Sequence, residues 1–222
     1  AVWRALNERT PGDPHWLWQG GGMPLEFSHG AFRMGHAMVR SSYFLNDTLD
    51  PQDITQVVGH NKSFTGGMRA PLDATWVVQW GRFFDLGGTP NYSRRIGPTR
   101  SSLDFRGLFP TPDAAPPDGI TFRDLLSAAA ARLWSVDAML RTIAEHSPDL
   151  IPAGWSFANP ALRKSAITQW LTRIRPVMHS LTDDDVTALA DDPPLPLFIL
   201  LETGLDPILQ GRCMGVLGSI IV

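Results

Sequence analysis

Four basic side chains recur at helical spacing within residues 26–45, in the stretch EFSHGAFRMGHAMVRSSYFL. If this stretch forms one regular α-helix, with about 100° per residue, these side chains fall within roughly 60° of one another. The face that they define consists of His29, Arg33, His36 and Arg40, and it contains no acidic residue. Guanidinium groups pair with carboxylates, and a neutral imidazole is a common metal ligand. The spacing therefore predicts a site for an anionic ligand that also needs an imidazole.

Aromatic side chains border the basic face of this predicted helix. Phe32 flanks the face on one side and Phe44 flanks it on the other, which favours a flat and apolar ligand. A regular helix places His29 and His36 about 10 Å apart along its axis, too far for both to bind one metal ion. For either imidazole taken alone, the commoner alternative is a solvated or hydrogen-bonded histidine that binds no ligand.

The composition of the 222-residue chain is that of one globular domain or of part of a larger one. A net charge of −3 gives no reason to expect nucleic acid or an anionic membrane surface as a partner. Cys213 is the single cysteine, so no internal disulfide can form. The sequence has no apolar run long enough for a membrane span. It also lacks a glycine-rich phosphate loop, a dinucleotide fingerprint, an HExxH motif and a GxSxG nucleophile elbow.

The remaining sequence patterns predict helices joined by long loops. Large apolar residues in 71–88 recur at helical spacing, although the neighbouring Val77 and Val78 leave a strand possible. Residues 121–146 predict two helices or one broken helix, with Ser135 as the N-cap of the second half. Long loops in an all-helical domain usually wrap a cofactor or contact another part of the protein.

Three further helices are predicted towards the C-terminus. The first spans residues 159–175, and its apolar stripe consists of Leu162, Ile167, Trp170, Leu171 and Ile174. The acidic residues 183–185 follow Thr182, which predicts an N-terminal helix cap and not a metal site. A short buried helix spans residues 194–204 and is closed by Gly204. These elements predict an all-α fold.

The basic stretch with the following asparagine, EFSHGAFRMGHAMVRSSYFLN, resembles the proximal helix of the animal-type haem peroxidases, the peroxidase–cyclooxygenase superfamily, in its bacterial branch. The matching residues are Glu26, Phe27, Ala31, Phe32, Arg33, Gly35, His36, Val39 and Arg40. Later segments resemble family blocks in collinear order, so the likeness covers about residues 24–222. The resemblance implies a mainly helical, partial haem-peroxidase-like domain with long loops. Residues 26–222 would form its proximal half, and residues 1–25 would form an irregular N-terminal arm.

The resemblance also implies a role for individual residues. His36 would be the axial ligand to the iron of haem b, and Arg33 would pair with a haem propionate. Phe32 and Arg40 belong to the same implied haem-binding set. Asp124 stands where the family usually has an Asn that accepts the N–H of the proximal imidazole, and a carboxylate is a stronger acceptor that favours higher oxidation states of iron. Arg33 and Asp124 are the implied catalytic residues.

The sequence departs from the family pattern at several positions. Ser127 occupies the position of a family Arg, so one propionate or structural contact is lost, and His29 also differs from the usual residue. The distal half of the family domain precedes the proximal helix, whereas only 25 residues do so here. Because the sequence also ends in an apolar run at Val222, we expect a fragment or a processed subunit of a longer protein.

Three functions are consistent with these observations. The first is a haem-dependent peroxidase that oxidises a small reductant with hydrogen peroxide, with its distal side supplied by a partner chain or a further segment. The second is a haem-free, peroxidase-derived interaction subunit that docks on a catalytic partner. The third is a haem-binding electron-transfer or sensing module with His29 or another residue as second axial ligand. The cyclooxygenase branch is disfavoured, because it carries a Tyr three residues before the proximal His, where this sequence has Arg33.

Overall fold

The computed structural model of the chain describes residues 23–54, 56–57, 74–92, 94–97, 120–174 and 181–222. Residues 1–22 of the predicted N-terminal arm lie outside the described residues. The chain divides into two compact units. The first comprises Ala1–Ala37, Arg95–Thr99 and Asp124–Val222, and the second comprises Met38–Arg94 and Arg100–Arg123.

The described part of the chain is mostly helical, which confirms the predicted helical character of the fold. Its α-helices are α1 (Met34–Met38), α2 (Ile120–Ala130), α3 (Val136–His146), α4 (Pro160–Ile174), α5 (Asp183–Asp191), α6 (Leu195–Leu205) and α7 (Val216–Ile221). Among the described residues, two short strands form an antiparallel pair, β1 (Ser42–Tyr43) with β2 (Gln52–Asp53). No helix in these described ranges combines the length and the apolar character that crossing a membrane requires.

The prediction of one regular helix over residues 26–45 is wrong. The segment consists of a π-helix at Glu26–Gly30, a 3₁₀ turn at Ala31–Arg33 and then α1, and the chain becomes extended at β1. Gly30 is the residue where the helical path breaks, with φ −111° and ψ −93°. The strand pairing of β1 takes the backbone groups that a longer helix would have used. The common face calculated for a regular helix therefore does not apply.

The helix predicted over residues 71–88 is also wrong in the described part of that range. Short 3₁₀ turns at Ala74–Trp76 and Trp80–Arg82 stand in its place. The buried Asn46 side chain donates from Nδ2 to the carbonyl oxygens of Thr75 at 2.7 Å and Val77 at 2.9 Å. These bonds use carbonyl groups that would otherwise accept the backbone hydrogen bonds of an α-helix. A tertiary contact therefore overrides the helix that the local apolar spacing predicts.

A hydrophobic core holds the helices of the first unit together. Met139 and Ile143 of α3, Ile167 of α4, Phe198 of α6 and Leu217 of α7 are fully buried. Side chains of this kind contribute about 1.5–3 kcal/mol each when buried. The core fixes the C-terminal helices as the scaffold of this unit.

The two helix caps are as predicted, whereas the apolar stripe of α4 and the end of α6 differ from the prediction. Ser135 Oγ accepts from the Ala138 N–H at 3.4 Å, and Thr182 forms a reciprocal capping box with Asp185. The predicted apolar stripe of α4 is wrong at one position. Leu162 is 53% exposed, and the neighbouring Arg163 is buried in its place. The predicted helix end at Gly204 is wrong by a residue, because α6 continues to Leu205.

Candidate functional site

An imidazole and a carboxylate form the central contact of the candidate site in the first unit. His36 lies on α1 and Asp124 on α2, and His36 Nδ1 is 2.8 Å from Asp124 Oδ2 and 3.0 Å from Oδ1. Both side chains retain access to solvent, with 30% of the His36 side chain and 12% of the Asp124 side chain exposed. An ionised carboxylate can only accept, so the His36 Nδ1 carries the hydrogen. In the neutral ring, Nε2 then presents a lone pair, which is the arrangement of a metal-ligating histidine.

The other ring nitrogen of His36 has no hydrogen-bond partner within the described part of the chain. The ring is therefore fixed on one side and available on the other. Because 30% of the His36 side chain is exposed, its Nε2 is open to solvent or to a ligand. The geometry thus leaves His36 Nε2 as a candidate ligand atom.

A second imidazole is held in the same way by the same helix. His29 Nδ1 lies 2.7 Å from the Ser127 Oγ. Ser127 follows Asp124 by three positions on α2, so the two anchoring side chains share a face, with about 5–6 Å between their Cβ atoms. The sequence alone gives no signal that pairs His29 with Ser127, because the two residues lie 98 positions apart.

Arg33 keeps most of its guanidinium group available. Its Nε donates to the Ser28 carbonyl at 3.1 Å, and its two terminal nitrogens make no hydrogen bond or ion pair within the described residues. The neighbouring Phe32 is 63% exposed, and its ring lies 5.6 Å from that of Phe27 in a tilted arrangement. This edge of the first unit therefore presents a cation with free donors beside an exposed aromatic ring.

Arg40, the remaining predicted site residue, belongs to the second unit. Its backbone N–H donates to the Tyr43 hydroxyl at 2.9 Å, and one terminal nitrogen donates to the Tyr92 carbonyl at 2.6 Å. Its Nε is buried and has no hydrogen-bond partner in the part of the chain that is described. The contact predicted between Arg40 and a ligand at His36 stays a prediction.

The second unit also contains a cavity of about 230 Å³. Arg82 lines it and is paired with Asp47, and its guanidinium also donates to the Thr89 hydroxyl at 2.8 Å. The hydrogen bond from Arg82 lowers the pKa of Asp47 below its ordinary value. Because these charged groups satisfy each other, this cavity offers no unpaired reactive group.

The donor set at His36 contains one imidazole. No cluster of three or more His, Cys, Asp or Glu side chains suited to a metal ion occurs within the described ranges. A metal ion held by protein alone needs more donors than this. A metal that brings its own equatorial ligands, as haem iron does, needs one axial imidazole. His36, held at Nδ1 by Asp124, has the geometry of such an axial ligand.

Comparisons with models of known protein families, with curated protein sequences and with solved structures give no match to this chain.

Proposed function

We propose that this chain binds haem b through His36 and forms the proximal side of an animal-type haem peroxidase. The reaction would be the oxidation of a small reductant by hydrogen peroxide. The single observation that carries the proposal is the His36–Asp124 contact at 2.8 Å, which fixes Nδ1 and leaves Nε2 available. The partial, peroxidase-like character of the domain is part of the same proposal.

Asp124 acts on the ligand through the imidazole ring. Its carboxylate accepts from Nδ1, selects the tautomer with a lone pair at Nε2 and prevents rotation of the ring. The negative charge raises the electron density on His36 and makes the Nε2 lone pair a stronger ligand for a metal. When bound, haem supplies the redox chemistry towards peroxide. Asp124 is thus a positioning residue for His36.

Arg33 and Phe32 provide contacts for the rest of a porphyrin. The free terminal nitrogens of Arg33 suit the carboxylate of a propionate, since a guanidinium fork binds a carboxylate with two parallel hydrogen bonds. Phe32 offers apolar surface to a flat ring. Groups that act on peroxide are proposed to come from a partner chain or a further segment.

Reconstitution with haem tests the proposal. The full chain is titrated with ferric haem, and the Soret absorbance is followed for the unchanged chain and for His36→Ala. The expected result is a saturable Soret band that is lost or strongly shifted in the variant and restored by added imidazole. His146→Ala is the matched control, because His146 is an exposed histidine at the end of α3.

A second series tests Asp124 with conservative and apolar replacements. Asp124→Asn retains an acceptor without the charge, and Asp124→Leu removes both. We expect the reduction potential of the bound iron to be higher in Asp124→Asn than in the wild-type chain, because the anionic Asp124 stabilises the ferric state. A Soret band that is the same in the unchanged chain and in His36→Ala would overturn the proposal, as would the absence of saturable haem binding.

A haem-free interaction subunit is the second candidate function, favoured by exposed aromatic surface in the second unit. Trp80, Phe84 and Tyr92 are 65%, 58% and 69% exposed, and such side chains are enriched at protein interfaces. This candidate predicts co-purification with another protein and no iron in the isolated complex. One iron per chain by elemental analysis would rule it out.

A further inference from the structure

We infer that His29, held by Ser127, is a second contact for the acidic edge of the porphyrin and donates a hydrogen bond to a carboxylate from its Nε2–H. This inference rests on the proposed function and deepens it. The observation behind it is that α2 anchors two imidazole rings through Nδ1, but with two different partners, the Asp124 carboxylate and the Ser127 hydroxyl.

The two partners give the two rings different chemistry. The Asp124 carboxylate only accepts, so it forces the hydrogen of His36 onto Nδ1 and a lone pair onto Nε2. The Ser127 hydroxyl can donate as well as accept. When it donates to His29 Nδ1, the hydrogen of that ring sits on Nε2. His36 is then a ligand for a metal, whereas His29 is a donor for an anion.

An anion beside His29 would itself select this tautomer. The change needs rotation of the Ser127 hydroxyl and transfer of the ring hydrogen from Nδ1 to Nε2 by exchange with solvent, and the 2.7 Å distance between Ser127 Oγ and His29 Nδ1 serves either direction of donation. His29 Nε2 has no hydrogen-bond partner within the described residues, and neither imidazole nitrogen of His29 contacts a carboxylate there. The ring is thus oriented on one side and unpaired on the other.

The position of His29 favours a contact at the edge of the ligand over a second axial bond. Asp124 and Ser127 share one face of α2, so the two imidazoles are anchored from the same side of that helix. The free terminal nitrogens of Arg33 belong to the same segment as both histidines. We propose Arg33 and His29, each with donors that are unpaired within the described residues, as the two contacts for a porphyrin edge with two propionates.

A comparison of two porphyrins distinguishes a hydrogen bond from His29 to a carboxylate from a role of His29 in packing. Binding of ferric protoporphyrin IX and of its dimethyl ester to the full chain is measured by absorbance, because the ester has no carboxylates but the same ring and iron. In His29→Phe we expect the dissociation constant for the free acid to rise tenfold or more, as for loss of a hydrogen bond to a charged group. The dissociation constant for the ester should change less than about twofold.

Two further variants keep the test valid if His29→Phe does not fold. Gln places an N–H near the position of the imidazole Nε2, so His29→Gln should retain most of the affinity for the free acid, whereas His29→Asn should not. Ser127→Ala removes the group that orients the ring and should give an intermediate loss that is again confined to the free acid. Circular dichroism and thermal unfolding establish that each variant is folded.

The outcomes distinguish failure of this inference from failure of the proposed function. Equal losses for the free acid and the ester, or no loss for either, would overturn the role of His29 while His36-dependent binding stands. If the wild-type chain binds neither porphyrin through His36, the proposed function is overturned, and this inference with it.

Discussion

Replacement of Glu202 by Gln tests the packing of the C-terminal helix through the pH dependence of stability. Glu202 lies on α6 and is 1% exposed, and its carboxyl oxygens accept from the Leu217 N–H at 3.0 Å and the Gly218 N–H at 2.8 Å. Both donors lie in the first turn of α7. Two effects oppose each other here. Burial disfavours the charged carboxylate, whereas the backbone N–H groups at a helix N-terminus favour it.

Burial is the larger effect and raises the pKa of Glu202 to about 7 from an ordinary value of 4.5, although the N–H groups of Gly218 and Leu217 lower it. Between these two pH values the folded chain binds more protons at this site than the unfolded chain does. Linkage then requires the free energy of unfolding to fall as pH rises from about 4.5 to about 7 and to level off above that. At about 1.4 kcal/mol for each pH unit, the carboxyl accounts for a loss of about 3 kcal/mol.

Urea unfolding followed by tryptophan fluorescence at constant ionic strength measures this loss between pH 5 and pH 8. The difference in unfolding free energy between the unchanged chain and Glu202→Gln should fall across the range. Asp185→Asn is the control, since the Thr182 hydroxyl lowers the pKa of the Asp185 carboxyl and its contribution changes only in more acidic solution. A difference for Glu202→Gln that stays constant or grows with pH would refute the reasoning, because the helix N-terminus would then outweigh burial.

Three further substitutions, with Gly204→Ala as a control, test the packing of the same unit by urea unfolding. Arg163→Ala should destabilise the chain by about 1–3 kcal/mol, because it removes a buried guanidinium that donates to the Phe157 carbonyl at 2.7 Å and pairs with the partly exposed Asp137. Gly215→Ala should destabilise it by about 1–3 kcal/mol, since an added Cβ would clash with the Glu202 side chain, whereas an added Cβ at Gly204 meets no atom within 4 Å outside its own helix backbone and chain neighbours, so Gly204→Ala should be neutral or stabilising. Thr182→Ala should remove about 1 kcal/mol through loss of the capping box. Equal effects of the two glycine substitutions, or no effect of the others, would contradict the described packing.

Helix starts are the part of this fold that the sequence predicts well, because the groups that form a cap are close in sequence. Ser135 accepts from a residue three positions later, and Thr182 and Asp185 satisfy each other across the same distance. These contacts exist as soon as the helix forms. No distant residue has to be known in order to predict them.

The two helix predictions that are wrong fail for the opposite reason. Residues that are distant in sequence bind the backbone groups that an α-helix would need. Pairing with β2 draws residues 42–43 out of the helix predicted from apolar spacing. Asn46 binds carbonyl groups that lie 29 and 31 positions away along the chain and keeps that second segment from becoming helical. The apolar spacing is similar in an amphipathic helix and in these turns, so periodicity alone does not separate them.

The candidate site combines a predictable residue with an unpredictable one. The resemblance implies that Asp124 accepts from His36, across 88 positions, and the structure has the two groups in contact. Nothing in the sequence predicts that Ser127 meets His29 across 98 positions, because that contact exists only once the N-terminal segment lies along α2. A serine in place of an arginine looks like a lost contact when it is considered alone. Beside His29, the same serine orients the imidazole ring through Nδ1 and is compatible with hydrogen on either ring nitrogen. Under the role proposed for His29, an imidazole that α2 orients would take the place of the arginine that the resemblance leads one to expect at position 127.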